Sequence, residues 1–117
     1  MSRSIRLKRQ AEADLNSHII FLADETDIET AVRFDTATLD SFEFLAKTPL
    51  VGVERSYSNS RLRGLRMWFV RGFERYLIFY MVSEKEVLIV RVLHSSRDIS
   101  GIFSDEISTE IEDNDLS

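Results

Sequence analysis

Cysteine is absent from all 117 residues, which excludes disulfide frameworks, thiolate metal sites and cysteine nucleophiles together. Histidine is nearly absent, and His18 and His94 cannot alone make a zinc site. Long apolar runs are lacking too. The longest, Tyr76 to Val82, spans seven residues, against the ~20 that a membrane helix needs. The basic stretch Met1 to Gln10 has no apolar segment behind it, so no signal peptide is expected. What remains is 44% apolar and 30% charged, ordinary for a globular domain. A chain of this length buries roughly 65% of its unfolded surface, enough for one core without staples. The expectation is a single-domain, cytoplasmic protein with no cofactor and no membrane contact.

Charge of one sign is missing from whole blocks of the chain. Residues 1–9 hold four basic groups and no acid, and residues 10–46 hold nine acids against Arg33 alone. Residues 54–97 reverse the balance, with nine basic groups against four acids. From Asp105 to Asp115 there are six acids and no base. Such patterning fits a partner with patterned charge better than general affinity for nucleic acid. Arginine supplies twelve of the fifteen cations, which favours forked recognition of carboxylate or phosphate.

Ile5 and Leu7 alternate with polar neighbours and predict a short opening strand. Ala11, Leu15, Ile19 and Leu22 then form one helical stripe, interrupted by the acidic stretch Asp24 to Asp27. Asp27 reads as the N-cap of a second helix that would turn Ile28, Val32, Leu39, Phe42 and Leu45 inward. Pro49 disfavours helical geometry at Thr48, so this helix should end near Lys47. The two helices make an αα-hairpin.

The polar stretch from Leu50 to Arg61 reads as loop. Three β-rich runs follow, Leu65–Arg71, Arg75–Val82 and Val87–Leu93, with short links that predict an antiparallel meander. The opening strand joins it as an edge or a central partner. Ile99, Phe103, Ile107 and Ile111 then form an i, i+4 row, giving a C-terminal helix over about Asp98–Phe103. The expected class is α+β in the order β-α-α-β-β-β, a helix hairpin on a small antiparallel sheet with a short final helix. Residues 1–103 form the domain, and residues 104–117 form an acidic tail that either docks along Ile107 and Ile111 or frays.

This order resembles the RelE/ParE toxin superfamily. The likeness rests on Arg61-Leu62-Arg63-Gly64-Leu65, on Tyr76-Leu77-Ile78-Phe79-Tyr80, and on the string from Arg91 through His94 to Arg97-Asp98-Ile99. That last string is similar to the ParE branch. The resemblance implies the toxin of a type II toxin–antitoxin pair, a protein inhibitor that traps DNA gyrase in its DNA-cleaved state. It also implies a cognate, ParD-like antitoxin that wraps the toxin, with gyrase and its bound DNA as further partners. The alternatives are a RelE-like, ribosome-dependent messenger endonuclease and a degenerate member that binds only antitoxin.

Cutting RNA requires a base for the 2′-hydroxyl, an acid for the leaving oxygen and cations for the phosphate. In the RNA-cutting branch the resemblance places lysines where this chain has Trp68 and Val70, an arginine at Leu77 and a tyrosine at Phe103. Only Arg97 keeps its counterpart. No metal and no catalytic residue is therefore expected. The candidate partner-binding residues are Arg61, Arg63, Arg66, Trp68, Arg71, Arg75, Arg91, His94 and Arg97. His94, between Arg91 and Arg97, either meets phosphate or simply ends a strand on a local hydrogen bond. Trp68 and Phe69 should point to opposite faces of one strand, and the exposed ring would anchor antitoxin. His18 reads as a surface residue on the polar side of the first helix.

Overall fold

The computed structural model describes residues 2–104; the expected docking or fraying of the acidic segment around Ile107 and Ile111 lies outside them. Strand β1 (Ser4–Leu7) leads into helix α1 (Arg9–Glu25), and a two-residue link leads into α2 (Ile28–Lys47). The Asp27 side chain accepts from the Thr30 backbone N–H at 2.7 Å, the expected N-cap. Helix α2 ends at Lys47, two residues before Pro49, as the proline predicts. After two single-turn 3-10 segments and a two-residue strand β2 (Val53–Glu54) come β3 (Arg66–Val70), β4 (Phe73–Val82) and β5 (Glu86–His94). A short helix α3 (Ile99–Ser104) follows.

The strands form one sheet in the order β1-β5-β4-β3-β2. The predicted meander holds, since β3, β4 and β5 pair antiparallel in sequence order. Strand β1 settles at the edge, parallel to β5, with Ser4 opposite Glu86 and Leu7 opposite Ile89, so the sheet is mixed. The β3–β4 turn is tighter than predicted. It consists of Arg71 and Gly72 alone, and Gly72 takes φ +85°, a backbone geometry that glycine adopts without strain.

One face of the sheet packs against the helix pair, burying Ala11, Leu15 and Leu22 of α1 and Phe34, Phe42 and Leu45 of α2 over Ile78, Tyr80, Val87 and Ile89. Helix α1 keeps the face its stripe predicts. Helix α2 is rotated from the expected one: Phe42 and Leu45 are buried, but Ile28, Val32 and Leu39 face solvent, and Thr38 and Ser41 take inward places. The hydroxyls of Thr38 and Ser41 donate to Phe34 O and Ala37 O, both at 2.8 Å, so each enters the core with its polar group satisfied. The opposite sheet face carries a second core of Leu62, Leu65, Phe79, Val90, Leu93 and Phe103. There α3 and the segment before β3 serve as the cover.

Candidate partner-binding surface

The groove between α2 and β3 is built by an aromatic trio. Phe44 of α2 stacks near Trp68 of β3 at 6.0 Å between ring centroids, and Trp68 stacks on Phe69 at 4.6 Å. Asp40, Ser41 and Arg71 complete a cavity of about 310 Å³. Ser41 fixes its floor: its Oγ accepts the Arg71 backbone N–H at 3.2 Å and so clips the β3–β4 turn to α2. The expectation that Trp68 and Phe69 divide between core and solvent is not met, since both are half-buried and their rings touch. Strand β2 pairs only with Arg66 and Met67, and the register slips between Phe69 and Val70. The open, bulged edge lets the Phe69 ring curl round to Trp68.

Antiparallel pairing brings the end of β3, the start of β4 and the end of β5 to one end of the sheet. Arg71, Arg75 and Arg97 all stand there, exposed, and none has a side-chain partner among the described residues. Backbone bonds knit this end together: Ser95 N–H donates to Arg75 O at 2.7 Å and Arg97 N–H to His94 O at 3.0 Å. His94 closes β5 with its ring edge on Tyr76. Its Nδ1 accepts from the Ser96 backbone N–H at 3.1 Å and lies 2.8 Å from Ser96 Oγ. That nitrogen is therefore engaged within its own turn.

The other candidate arginines are divided. Arg66 donates to Gly52 O at 2.7 Å, Leu50 O at 3.2 Å and Glu54 Oε1 at 3.3 Å, so it pins the segment before β2. Arg61 lies in the second 3-10 segment (Ser60–Leu62) with Arg63 directly after it, both exposed. Arg91 makes a forked ion pair with Asp14 of α1, Nε to Oδ2 at 2.7 Å and Nη2 to Oδ1 at 3.0 Å, with both side chains largely buried.

Asp14 and His18 are the residues that sequence reasoning missed. Strand β1 stops opposite Ile89, so the outer edge of β5 beyond it has no strand to pair with. Helix α1 covers that edge with side chains. Asp14 Oδ2 accepts the Val92 N–H at 3.0 Å, and His18 Nε2 donates to Val92 O at 2.7 Å. One helix face thus completes both halves of a missing ladder rung through residues four apart. His18 is not a surface residue; it sits edge-on to Tyr76 and Phe34. Burial pushes its pKa below the usual 6.5, against the opposing pull of its bond to Val92. The signal was present in the sequence: Asp14 and His18 flank the Ala11–Leu15–Leu22 stripe at i, i+4.

The positions aligned with the RNA-cutting groups hold packing side chains. Val70 and Phe103 are buried in the two cores, Leu77 packs on the second core, and Trp68 belongs to the aromatic trio. Among the described residues no three His, Cys, Asp or Glu side chains converge as a metal site would require. No helix among them is long and apolar enough to cross a membrane.

The family described as the ParE toxin of the type II toxin–antitoxin system parDE matches residues 5–99. A solved structure titled as the chromosomal ParDE toxin–antitoxin system from P. aeruginosa is similar in fold, with a TM-score of 0.64 and 20% identity. The match covers 80% of this chain and 96% of that one. None of the curated proteins matches. The match spans the opening strand, the helix pair, the meander and the His94–Ile99 strand end, so the chain belongs to the ParE toxin family of type II toxin–antitoxin systems.

Proposed function

We propose that the protein is a non-catalytic cytoplasmic toxin that inhibits DNA gyrase by holding its DNA-cleaved state, and that a cognate antitoxin neutralises it. The observation that carries the non-catalytic reading is the filling of the RNA-cutting positions. Trp68, Val70, Leu77 and Phe103 can neither exchange a proton nor steady a phosphate, and three of them are tied into packing whose loss would cost the fold. His94, the one group of suitable chemistry at the basic end, has its Nδ1 held by the Ser96 backbone N–H.

The antitoxin docks across the α2–β3 groove. Apolar anchors fill the space lined by Phe44, Trp68 and Phe69, and acids meet Arg71, Arg75 and Arg97. Aromatic anchors in a partly enclosed groove with a charged rim are what such interfaces use. The same exposed arginines serve contact with gyrase or its bound DNA, so the antitoxin neutralises by occupying them.

The test combines purified protein with gyrase and supercoiled plasmid, and in parallel with ribosomes and messenger. Accumulation of cleaved plasmid is expected, with intact messenger. Messenger cuts abolished by His94→Ala would overturn the non-catalytic reading, and inactivity in both reactions would leave only antitoxin binding.

A further inference from the structure

The rotation of α2 leaves an apolar row where a solvated helix face would be polar. Ile28 is 68% exposed, Val32 58% and Leu39 57%, and at spacings of four and seven residues they share one stripe. The stripe runs about 16 Å along the helix, three turns. Ile20 and Phe21, 62% and 56% exposed, are further apolar side chains left uncovered in the last turns of α1. None of these residues belongs to the α2–β3 groove, whose walls are Phe44, Trp68 and Phe69.

The charge along this row is predominantly acidic. Asp35 lies on the stripe between Val32 and Leu39, and Glu43 lies one turn beyond Leu39. Asp24 and Glu25 stand one turn beyond Ile20 and Phe21. All four acids are exposed, and Arg33, the cation of this stretch, turns its guanidinium to Thr30 Oγ1 at 3.1 Å. A second copy of the same face would set acid against acid, which disfavours self-association.

We propose that the outer face of the helix pair is a second docking surface, whose occupant is a basic amphipathic helix of a protein partner. Apolar side chains of that helix cover Ile28, Val32 and Leu39, and its Lys and Arg residues meet Asp35 and Glu43. A helix suits the site because a row spaced by helical turns accepts the ridge of another helix. The surface is separate from the arginine-rich end of the sheet, so this partner and one held in the α2–β3 groove can be bound together.

The test uses a fluorescently labelled 18-residue leucine–lysine peptide of helical periodicity, with its leucine–glutamate counterpart as control. It is read by anisotropy against the full chain at low salt. The native protein should bind the lysine peptide and not the glutamate one. The triple variant Ile28→Ser/Val32→Ser/Leu39→Ser and the double variant Asp35→Lys/Glu43→Lys should each weaken binding about tenfold or more. All substituted positions are exposed, so circular dichroism should show the native fold. Undiminished binding by the triple variant would reduce the effect to bulk charge and overturn the proposal, as would failure of the native protein to bind. Sedimentation supplies the second arm. A native dimer that the triple variant abolishes would make a second copy the occupant and overturn it equally, whereas a monomer throughout agrees with it.

Discussion

His18 and Arg91 both tie α1 to the edge of β5, His18 through Val92 O and Arg91 through Asp14, and each makes a measurable claim. The folded-state pKa of His18 lies below its ordinary 6.5 because burial disfavours the imidazolium. The unfolded chain then binds the extra proton first. Stability from the neutral ring is complete above about pH 6.5 and falls as pH drops towards the folded-state value. Asp14, His94 and Arg97 share this field, Asp14 favouring the charged ring and the other two opposing it. Urea midpoints at pH 7.5 and 5.5 should therefore differ more for the native protein than for His18→Gln, which keeps a donor for Val92 O but does not titrate. Equal pH dependence in the two would contradict the assignment. Arg91→Met should cost about 3 kcal/mol or more, since it leaves the buried Asp14 carboxylate without its cation. Adding Asp14→Asn should restore most of the loss in denaturant titration, because the amide oxygen can still accept from Val92 N–H. An additive double variant would mean the pair is not coupled. Hydrophobic periodicity alone marks His18 as polar and hence outside; only its i, i+4 spacing from Asp14 beside the stripe points inward. The ring is inside because β1 is too short to cover the edge of β5.

Elements were legible where their signals are local. Asp27 and Pro49 fix the ends of α2, and short links with Gly72 at one turn fix the meander. The failure at α2 is one of phase: Thr38 and Ser41 hide their hydroxyls on their own helix, so the polar side looks outward in sequence and lies inward in space. The parallel placement of β1 depends on a partner some eighty residues away, which no local pattern encodes. The segment between α2 and β2 is held by a similar long-range device. The buried Tyr80 hydroxyl donates to Pro49 O at 2.8 Å and accepts from Gly52 N–H at 2.9 Å. A Cβ at residue 52 would collide with that hydroxyl. Tyr80→Phe should cost about 1–2 kcal/mol by leaving the Gly52 N–H and Pro49 carbonyl unpaired. Gly52→Ala should cost more, through the clash. Because removing the hydroxyl makes room for the methyl group, the double variant should lose less than the sum of the two. A strictly additive result in thermal unfolding would show that residue 52 has no dependence on Tyr80.

At the scale of the whole molecule, the two oppositely charged blocks of sequence become two surfaces, one acidic with an apolar stripe and one basic beside an aromatic groove. The candidate arginines do not share one surface. Arg91 and Arg66 serve the fold, while Arg71, Arg75 and Arg97 are exposed at the basic end. Charge reversal at Arg71 and Arg75 should therefore slow antitoxin association most at low salt and leave the unfolding midpoint nearly unchanged. Reversal at Arg66 should lower stability as well as affinity. If the Arg71/Arg75 variant associates at the native rate with the native salt dependence, that end of the sheet is not the docking surface.

The difference between an inhibitor and a catalyst is stoichiometry. The most direct measurement titrates the purified protein into gyrase and supercoiled plasmid, with gyrase well above the dissociation constant, and follows cleaved plasmid. A protein that holds gyrase by binding alone should give cleavage that rises linearly and breaks at a fixed small ratio of toxin to gyrase. The cleaved plasmid should be resealed when cognate antitoxin is added in excess. Full cleavage at a hundredfold lower amount of toxin, cleavage without gyrase, or no cleavage at any ratio would contradict this mode of action.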